Sequence, residues 1–190
     1  MKLFQIFIIG VFTLSLISCS SVNYSTDFDP TQDFSKYKTY RFTNSTEADP
    51  NDYLTQHPLI KKRVIEAITK SLDAKGFQLI TEGDPDFVVN TLAGTQEKMQ
   101  VTNTGGYGYG GWYGGYPGYG GYGGSTYVSY YQEGTLVIDI IDWKEKELSF
   151  RGTASGTLSK TEKSPEESQA DINEVVTNIL AKFPPGQGNP

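Results

Sequence analysis

The chain has 190 residues, with 16 basic and 22 acidic side chains, a formal net charge of −6 and 37% hydrophobic residues. A pI near 4.8 argues against nucleic-acid binding, which relies on basic surfaces. One cysteine excludes an internal disulfide, and one cysteine with one histidine excludes a His/Cys zinc site. The composition therefore predicts one modest globular domain that holds no metal or other cofactor.

The N-terminus predicts a cleaved export signal that ends at a lipid attachment site. Lys2 precedes an apolar run over residues 3–17, shorter than the roughly twenty residues that a spanning helix needs. Residues 16–19, Leu-Ile-Ser-Cys, resemble the lipobox of bacterial lipoproteins, which implies that Cys19 becomes the first mature residue and carries acyl chains. We expect a signal peptide over 1–18 and one lipid-anchored domain over 19–190. A chance cysteine after an ordinary signal peptide is the alternative.

The residues after Cys19 predict where the anchored protein lies. In enterobacterial lipoproteins, an aspartate at the second mature position is associated with retention at the inner membrane, and this chain has Ser20 there. We therefore expect an outer-membrane location that faces the periplasm. The mature chain would keep 15 basic against 22 acidic residues, so the lipid anchor, and no polybasic surface, would hold it at the membrane.

In chain order, the mature sequence first predicts a strand over 35–42, from its β-rich composition, and then a helix from Pro58 to Gly76. Apolar residues recur along this helix at spacings of three and four: Ile60, Val64, Ala67, Ile68 and Leu72. Strands follow over 77–80 and 86–92, and the second of these extends towards Val101.

A last helix is predicted from the capping box at residues 164–167, with Pro165 at its first position, to Lys182 in its last turn. Residues 183–185, Phe-Pro-Pro, end it. Its apolar stripe is Ile172, Val175, Val176, Ile179 and Leu180.

Residues 134–142 and 148–154 predict a hairpin whose register follows from its apolar side chains. With Asp142 opposite Leu148, the aligned pairs are Ile140 with Phe150, Ile138 with Gly152, and Leu136 with Ala154. The same register places Asp139 opposite Arg151 on the other face, as a structural ion pair. We therefore predict an α+β fold: a single two-layer domain with a largely antiparallel sheet of about four to six strands and two helices packed on one face.

The composition changes abruptly over residues 105–124, which hold 12 glycines, six tyrosines, Trp112 and Pro117. Ordering so much glycine is entropically costly, which predicts a mobile loop between two strands. Exposed aromatic side chains stack on sugars or contact protein surfaces. The candidate contacts are Tyr107, Tyr109, Trp112, Tyr113, Tyr116, Tyr119 and Tyr122. The alternative is a low-complexity expansion without a binding role.

Catalytic groups are scarce in this sequence. His57 is predicted to be a solvated loop residue, because no second histidine accompanies it. Acid–base chemistry would have to use strand carboxylates: Glu133, Asp139 and Asp142 on one strand, with Asp84 and Asp86 before another. Structural use of these carboxylates is the favoured interpretation, and Asp84 and Asp86 lack the loop pattern of an EF-hand calcium site.

Six short motifs occur in this chain in the same order as in a bacterial lipoprotein family catalogued as domain of unknown function 4136, which the chain therefore resembles. They are Phe34-Ser35-Lys36-Tyr37-Lys38-Thr39-Tyr40, Leu72-Asp73-Ala74-Lys75-Gly76-Phe77, Asp84-Pro85-Asp86-Phe87, Gly134-Thr135-Leu136-Val137-Ile138-Asp139, Phe150-Arg151-Gly152 and Phe183-Pro184-Pro185. Members often have tryptophan at the position of Phe150. The resemblance implies a lipid-anchored envelope protein and transfers no catalytic residue.

The function that we expect is therefore that of a non-catalytic cell-envelope lipoprotein. It would present its domain and its aromatic loop to a periplasmic protein or glycan. A weak hydrolase or glycan-processing enzyme that uses the strand carboxylates is the alternative.

Overall fold

The computed structural model describes residues 22–43, 52–104, 125–159 and 161–186. In these residues the elements are β1 (Asn23–Phe28), a 3-10 turn (Phe34–Lys36), β2 (Thr39–Phe42), α1 (Tyr53–Gln56), α2 (Pro58–Ala74), β3 (Gln78–Leu79), β4 (Phe87–Thr104), β5 (Ser125–Asp142), β6 (Leu148–Thr157) and α3 (Pro165–Ile179).

The strands form one open, mixed sheet in the order β1-β6-β5-β4-β2-β3. The β1–β6, β6–β5 and β5–β4 pairs are antiparallel, whereas β2 is parallel to both of its neighbours, β3 and β4. The predicted largely antiparallel sheet is therefore correct for only part of the sheet. The physical reason is the connection: α1 and α2 carry the chain from the end of β2 back to its start, so β3 runs in the same direction as β2.

The described residues hold three helices, one more than was predicted. The extra helix, α1, is one short turn capped by Asp52, whose carboxylate accepts a hydrogen bond from the Thr55 amide at 3.1 Å. The long helix α2 confirms the predicted stripe, since it buries Val64, Ala67, Ile68 and Leu72.

The end of α2 explains its glycine. Gly76 has φ 87°, and its amide donates to the Asp73 carbonyl at 2.9 Å, while the Phe77 amide donates to the Leu72 carbonyl at 3.1 Å. These two bonds satisfy the last carbonyls of the helix, and only glycine adopts the required left-handed conformation without strain.

The capping box of α3 is confirmed. The Glu167 amide donates to Ser164 Oγ at 3.2 Å, and the Ser164 amide donates to Glu167 Oε2 at 2.9 Å. The helix ends at Ile179, earlier than predicted, because the chain then turns inward and buries Leu180 and Phe183.

The predicted strand over 35–42 is shorter than expected, because a 3-10 turn occupies its first part. Asp33 nucleates this turn by accepting hydrogen bonds from the Ser35 amide and hydroxyl at 3.1 and 2.6 Å. β1 is not predicted from the sequence. Its apolar side chains Tyr24 and Phe28 are exposed, so the strand carries no buried pattern.

The register of the β5–β6 hairpin is confirmed in its central part, with Ile140 opposite Phe150 and Ile138 opposite Gly152. Its first pair is wrong: Leu148 lies opposite Ile141, because a bulge interrupts the ladder. The bulge leaves Ser149 extra, and its Oγ donates to the Ile140 carbonyl at 3.0 Å.

A single buried cluster joins the sheet to the helices. From α2 and α3 it includes Ile68 and Ile179, and from the sheet Phe87, Ile140 and Phe150. Odd residues of β4 and even residues of β5 share the cluster's face of the sheet, because register partners point to the same side. The opposite face carries polar residues such as Asp139 and Arg151.

Gly152 lies where α3 approaches the sheet closely. A Cβ at this position would lie 2.5 Å from Ile179 Cγ2 and 3.0 Å from the Ile179 carbonyl oxygen. The missing side chain is therefore a packing requirement of the β6–α3 contact.

We expect Gly152→Ala to lower the free energy of unfolding by about 1–3 kcal/mol, because the added methyl overpacks this contact. Gly94→Ala in β4 is the matched control, since a Cβ there meets nothing within 4 Å. Denaturant unfolding of both variants measures the difference, and equal stabilities would contradict the packing argument.

Candidate functional site

Most of the strand carboxylates that acid–base catalysis would need accept hydrogen bonds from other residues of the domain. Arg151 Nε and Nη2 donate to the two oxygens of Asp139 at 2.7 and 2.8 Å, which is a bidentate pair. The bond to Asp139 raises the pKa of the Arg151 guanidinium. The side chain of Asp139 is only 6% exposed and that of Arg151 is 49% exposed. The partly exposed Arg151 side chain therefore covers the buried carboxylate of Asp139 on the polar face of the sheet.

Asp142 lies in a second, separate network on the helix-facing side. Its Oδ2 accepts hydrogen bonds from Gln32 Nε2 at 2.9 Å and from the Tyr37 hydroxyl at 3.0 Å. Its Oδ1 accepts from the amides of Lys144 and Glu145, both at 2.8 Å. The network ties the β5–β6 turn to the segment before β2.

These contacts determine two pKa shifts. Burial pushes the pKa of Asp142 up, but the hydrogen bonds from the Glu145 amide, Tyr37 and other donors outweigh it and lower the pKa below 3.8. Burial, with a smaller contribution from Asp142, raises the pKa of the Tyr37 hydroxyl above its ordinary value. At neutral pH Asp142 is therefore an ionised structural acceptor.

The remaining candidate carboxylates are also engaged or exposed. Asp86 Oδ2 accepts from the amides of Lys38 and Thr39 at 2.9 and 2.8 Å. Burial opposes these bonds, but they prevail and lower the pKa of Asp86. Glu133 Oε2 lies 2.6 Å from Lys98 Nζ, and Asp84 is exposed.

Metal and histidine chemistry finds little support in this part of the chain. Among the described residues, no group of three or more histidine, cysteine or acidic side chains is placed to hold a metal ion. His57 is exposed, and its ring lies 4.0 Å from the ring of Tyr53.

A surface groove of about 550 Å³ lies between α2 and α3. Its lining mixes Leu59 and Arg63 of α2 with Glu166 and Asn173 of α3. None of the residues that the sequence nominated lines this groove.

The unusual feature is the length of the β4–β5 hairpin. The two strands pair without interruption from Phe87 opposite Asp142 to Thr104 opposite Ser125. β2 pairs with β4 only as far as Val89, and β6 pairs with β5 only as far as Glu133. Residues 99–104 and 125–130 therefore continue as a two-stranded extension, which we call the ribbon.

The ribbon is uncharged and amphipathic. The ion pair between Lys98 and Glu133 lies at its base, and no charged residue occurs from position 99 through 132. On its helix-facing side four apolar residues are exposed and form what we call the apolar stripe: Met99 at 59%, Val101 at 49%, Val128 at 49% and Tyr130 at 58%. A two-stranded ribbon is only marginally stable in water, so a stripe of this kind gains by being covered.

The other nominated residues fall outside the described part of the chain. These are Cys19 and the aromatic residues Tyr107, Tyr109, Trp112, Tyr113, Tyr116, Tyr119 and Tyr122. The seven aromatic residues lie in segment 105–124, which connects the two strand ends of the ribbon, Thr104 and Ser125, in the sequence. Sequence reasoning missed the apolar stripe, although the alternation of Met99 and Val101 with polar residues is a detectable signal.

The described helices are too short or too polar to cross a membrane.

The fold and its contacts define a small mixed α/β domain with a projecting ribbon. Residues 24–185 match the family described as Domain of unknown function (DUF4136), which covers most of the chain. The chain belongs to this family, as the sequence motifs indicated. A comparison with curated proteins finds no significant match.

One solved structure shows a similar fold, and a second is less similar. A PDZ domain protein from Parabacteroides distasonis is similar with a TM-score of 0.52 and 13% identity, over 87% of this chain and 36% of that one. The PelC dodecamer from Paraburkholderia phytofirmans gives a TM-score of 0.42 and 10% identity, over 84% and 95%. This chain thus spans little more than a third of the first structure. At 13% identity the likeness to the PDZ domain protein concerns the fold alone.

The Asp142 network generates a pH prediction. Because the folded pKa of Asp142 lies below 3.8, its contribution to stability is present above that pH and is lost as the pH falls through the folded value. We expect Asp142→Asn to cost about 1–3 kcal/mol at pH 7 and to show a shallower loss of stability between about pH 5 and pH 3. Asp84→Asn, at an exposed carboxylate, is the control. Urea unfolding across this pH range tests it, and parallel curves for parent and Asp142→Asn would contradict it.

Proposed function

We propose that this protein is a non-catalytic, lipid-anchored protein of the bacterial cell envelope. It sits at the outer membrane, facing the periplasm, and presents the ribbon and the aromatic segment 105–124 to a periplasmic protein or glycan. The observation that carries this proposal is the ribbon, an uncharged and partly apolar extension that projects beyond an otherwise acidic domain.

The engaged carboxylates support a non-catalytic role. Glycoside hydrolysis by paired carboxylates needs two carboxyl groups at a defined separation, with one pKa raised. Asp139 and Asp142 face opposite sides of the sheet, as their register partners Asn90 and Phe87 do. Each has its own donors, and the pKa of Asp142 is lowered. Among the described residues, no contact favours the hydrolase alternative.

The composition of the aromatic segment supports a contact role. Tyrosine and tryptophan provide large contact areas at low side-chain entropy cost, and their faces stack on sugar rings. In the sequence the segment follows Thr104 and precedes Ser125, the two strand ends of the ribbon.

The anchor is tested at its attachment residue. We expect Cys19→Ser to abolish acylation and to release the protein from membranes or leave an uncleaved precursor, because Cys19 is the sole cysteine and ends the lipobox. Ser21→Ala is the control and should fractionate like the parent. Mass spectrometry of the mature N-terminus decides the matter: an unmodified Cys19 in the membrane-bound protein would overturn the anchor.

The contact role is tested by comparing the chain's two tryptophans. Trp112 lies in the aromatic segment, whereas Trp143 lies in the body of the domain, with Arg41 Cζ 5.0 Å and Lys146 Nζ 3.0 Å from its ring. We expect Trp112→Ala to weaken binding about threefold to tenfold at unchanged thermal stability, as loss of one aromatic contact does. Trp143→Ala is expected to leave binding unchanged.

Two readouts separate the partner classes. Co-sedimentation with purified cell-wall glycan measures glycan binding, and cross-linking of the membrane-anchored chain in cells measures protein contacts. If Trp112→Ala and replacement of all seven aromatic residues leave both readouts at the parent level, the segment has no contact role.

A further inference from the structure

The ribbon projects from the end of the sheet at which the chain enters it. β1 begins at Asn23, and the register places Asn23 in one row with Gly94 of β4, through Ser155 and Thr135. From this row β1 runs in one direction, whereas β4 continues past Gly94 in the opposite direction and into the ribbon. The first residue of the sheet and the ribbon therefore lie at the same end of the domain.

The predicted lipid attachment site is tied closely to this end. Four residue steps lead from Cys19 to Asn23, and a fully extended chain of that length spans at most about 14 Å. From the same row, ten residue steps along β4 lead from Gly94 to Thr104, which is about 33 Å at a rise of about 3.3 Å per residue. The end of the ribbon therefore extends further from the row than Cys19 can reach.

The opposite end of the sheet is too far from the attachment site to rest on a membrane. Phe28 ends β1 five residue steps from Asn23, about 17 Å away from the ribbon, and the turn after Asp142 projects further still. A domain standing on that end would hold Asn23 higher than the roughly 14 Å that the linking residues cover. With Cys19 in a bilayer, the ribbon consequently points towards the bilayer or along its surface.

The apolar stripe has the chemistry of an element that lies at a membrane interface. It consists of two cross-strand pairs, Met99 with Tyr130 and Val101 with Val128, whose side chains are exposed. No charged residue occurs from position 99 through 132, and charges are costly beside hydrocarbon. Tyrosine is enriched at membrane interfaces. As amphipathic helices do, an element with one apolar face buries that face at the boundary between headgroups and acyl chains.

We propose that the apolar stripe of the ribbon lies on the lipid bilayer that holds Cys19. Two contacts with one membrane then fix the orientation of the domain, which attachment at a single residue leaves free. The proposal goes beyond the proposed function, because it gives the stripe a lipid partner, and it rests on that function only for the lipid at Cys19. The other face of the ribbon, with Thr102 and Tyr127, remains for the periplasmic protein or glycan.

Met99 is a native probe of this contact, because it is the only methionine after Cys19. The test uses residues 19–190, which keep the whole buried cluster, since that cluster lies within residues 34–183. Cys19 is the sole cysteine, so a maleimide lipid couples there alone, whether or not cells acylate it. The coupled chain is attached to vesicles of phosphatidylethanolamine and phosphatidylglycerol. Mass spectrometry then measures the rate at which chloramine-T oxidises Met99 to its sulfoxide.

We expect attachment at Cys19 to slow the oxidation of Met99 about fivefold or more, relative to the uncoupled chain in solution. The matched control combines Cys19→Ser with Leu148→Cys, which moves the same lipid to the opposite end of the sheet, where Leu148 lies opposite Ile141. In this control Met99 should oxidise at the rate of the uncoupled chain. Because the contact is apolar, salt at about 0.5 M should leave both results unchanged.

A charge within the stripe separates lipid contact from simple crowding at the vesicle surface. Val101→Asp should restore most of the uncoupled oxidation rate of Met99 in the attached chain, because a carboxylate resists transfer towards hydrocarbon. Leu148→Asp is the matched control, since Leu148 is a comparably exposed aliphatic residue (45%) on the body of the domain. It should keep Met99 protected. Before coupling, both variants should oxidise like the parent, which shows that the ribbon is intact.

Oxidation of Met99 at the uncoupled rate in the chain attached at Cys19 would overturn the proposal. So would equal protection from both attachment positions, or parent-like protection in Val101→Asp. Protection that appears only after a periplasmic protein or glycan is added would assign the stripe to that partner instead.

The failure of this proposal and the failure of the proposed function are distinguishable. An unmodified Cys19 in cells would remove the natural anchor, but the maleimide-coupled chain would still show whether the stripe contacts lipid. If Met99 is unprotected in that chain while Trp112→Ala still weakens partner binding, the proposed function stands and the lipid contact alone is wrong.

Discussion

The packing of Phe183 holds the domain together. Its ring centroid lies 6.0 Å from that of Phe34, 5.5 Å from Phe77, 5.6 Å from Phe87 and 5.2 Å from Phe150. These rings come from the turn before β2, the end of α2, and strands β4 and β6. Edge-to-face and tilted contacts of this kind add to the hydrophobic gain from burial. Because Phe183 follows α3, the same contact fixes the last helix against the sheet.

The aromatic cluster accounts for the asymmetry of the sheet. It stabilises the half of β4 and β5 that lies under the helices, where Val89 and Ile140 are buried. Beyond that half the same two strands keep their register and alternation, but none of the described helices covers them, and Val101 and Val128 are exposed. The buried core therefore stabilises one end of the β4–β5 pair, and the ribbon is held by the hydrogen bonds between the two strands.

The two polar networks lie on opposite faces of the sheet, and each one stabilises its own face. Asp142, buried with Tyr37 and Ser149, joins loops on the helix side, whereas the Asp139–Arg151 pair stabilises the opposite face. Leaving a buried carboxylate without hydrogen-bond donors would cost free energy of folding, so each of these carboxylates stays bonded to its own donors. Because Asp139 and Asp142 also face opposite sides of the sheet, these carboxylates do not form a common site although they are close in sequence.

The sequence alone determined the local features: the Ser164–Glu167 capping box, the glycine end of α2, the stripes of both long helices and the central hairpin register. Each depends on spacing within a few residues, which the chain displays directly. Only the tertiary structure decided the parallel pairing of β2, the early end of α3 and the length of the ribbon. These depend on which strands become neighbours and on where helix cover stops, and such long-range contacts leave no local pattern. The apolar stripe lies between these cases: its alternation is visible in the sequence, but its exposure follows from the absence of a helix over that part of the described sheet.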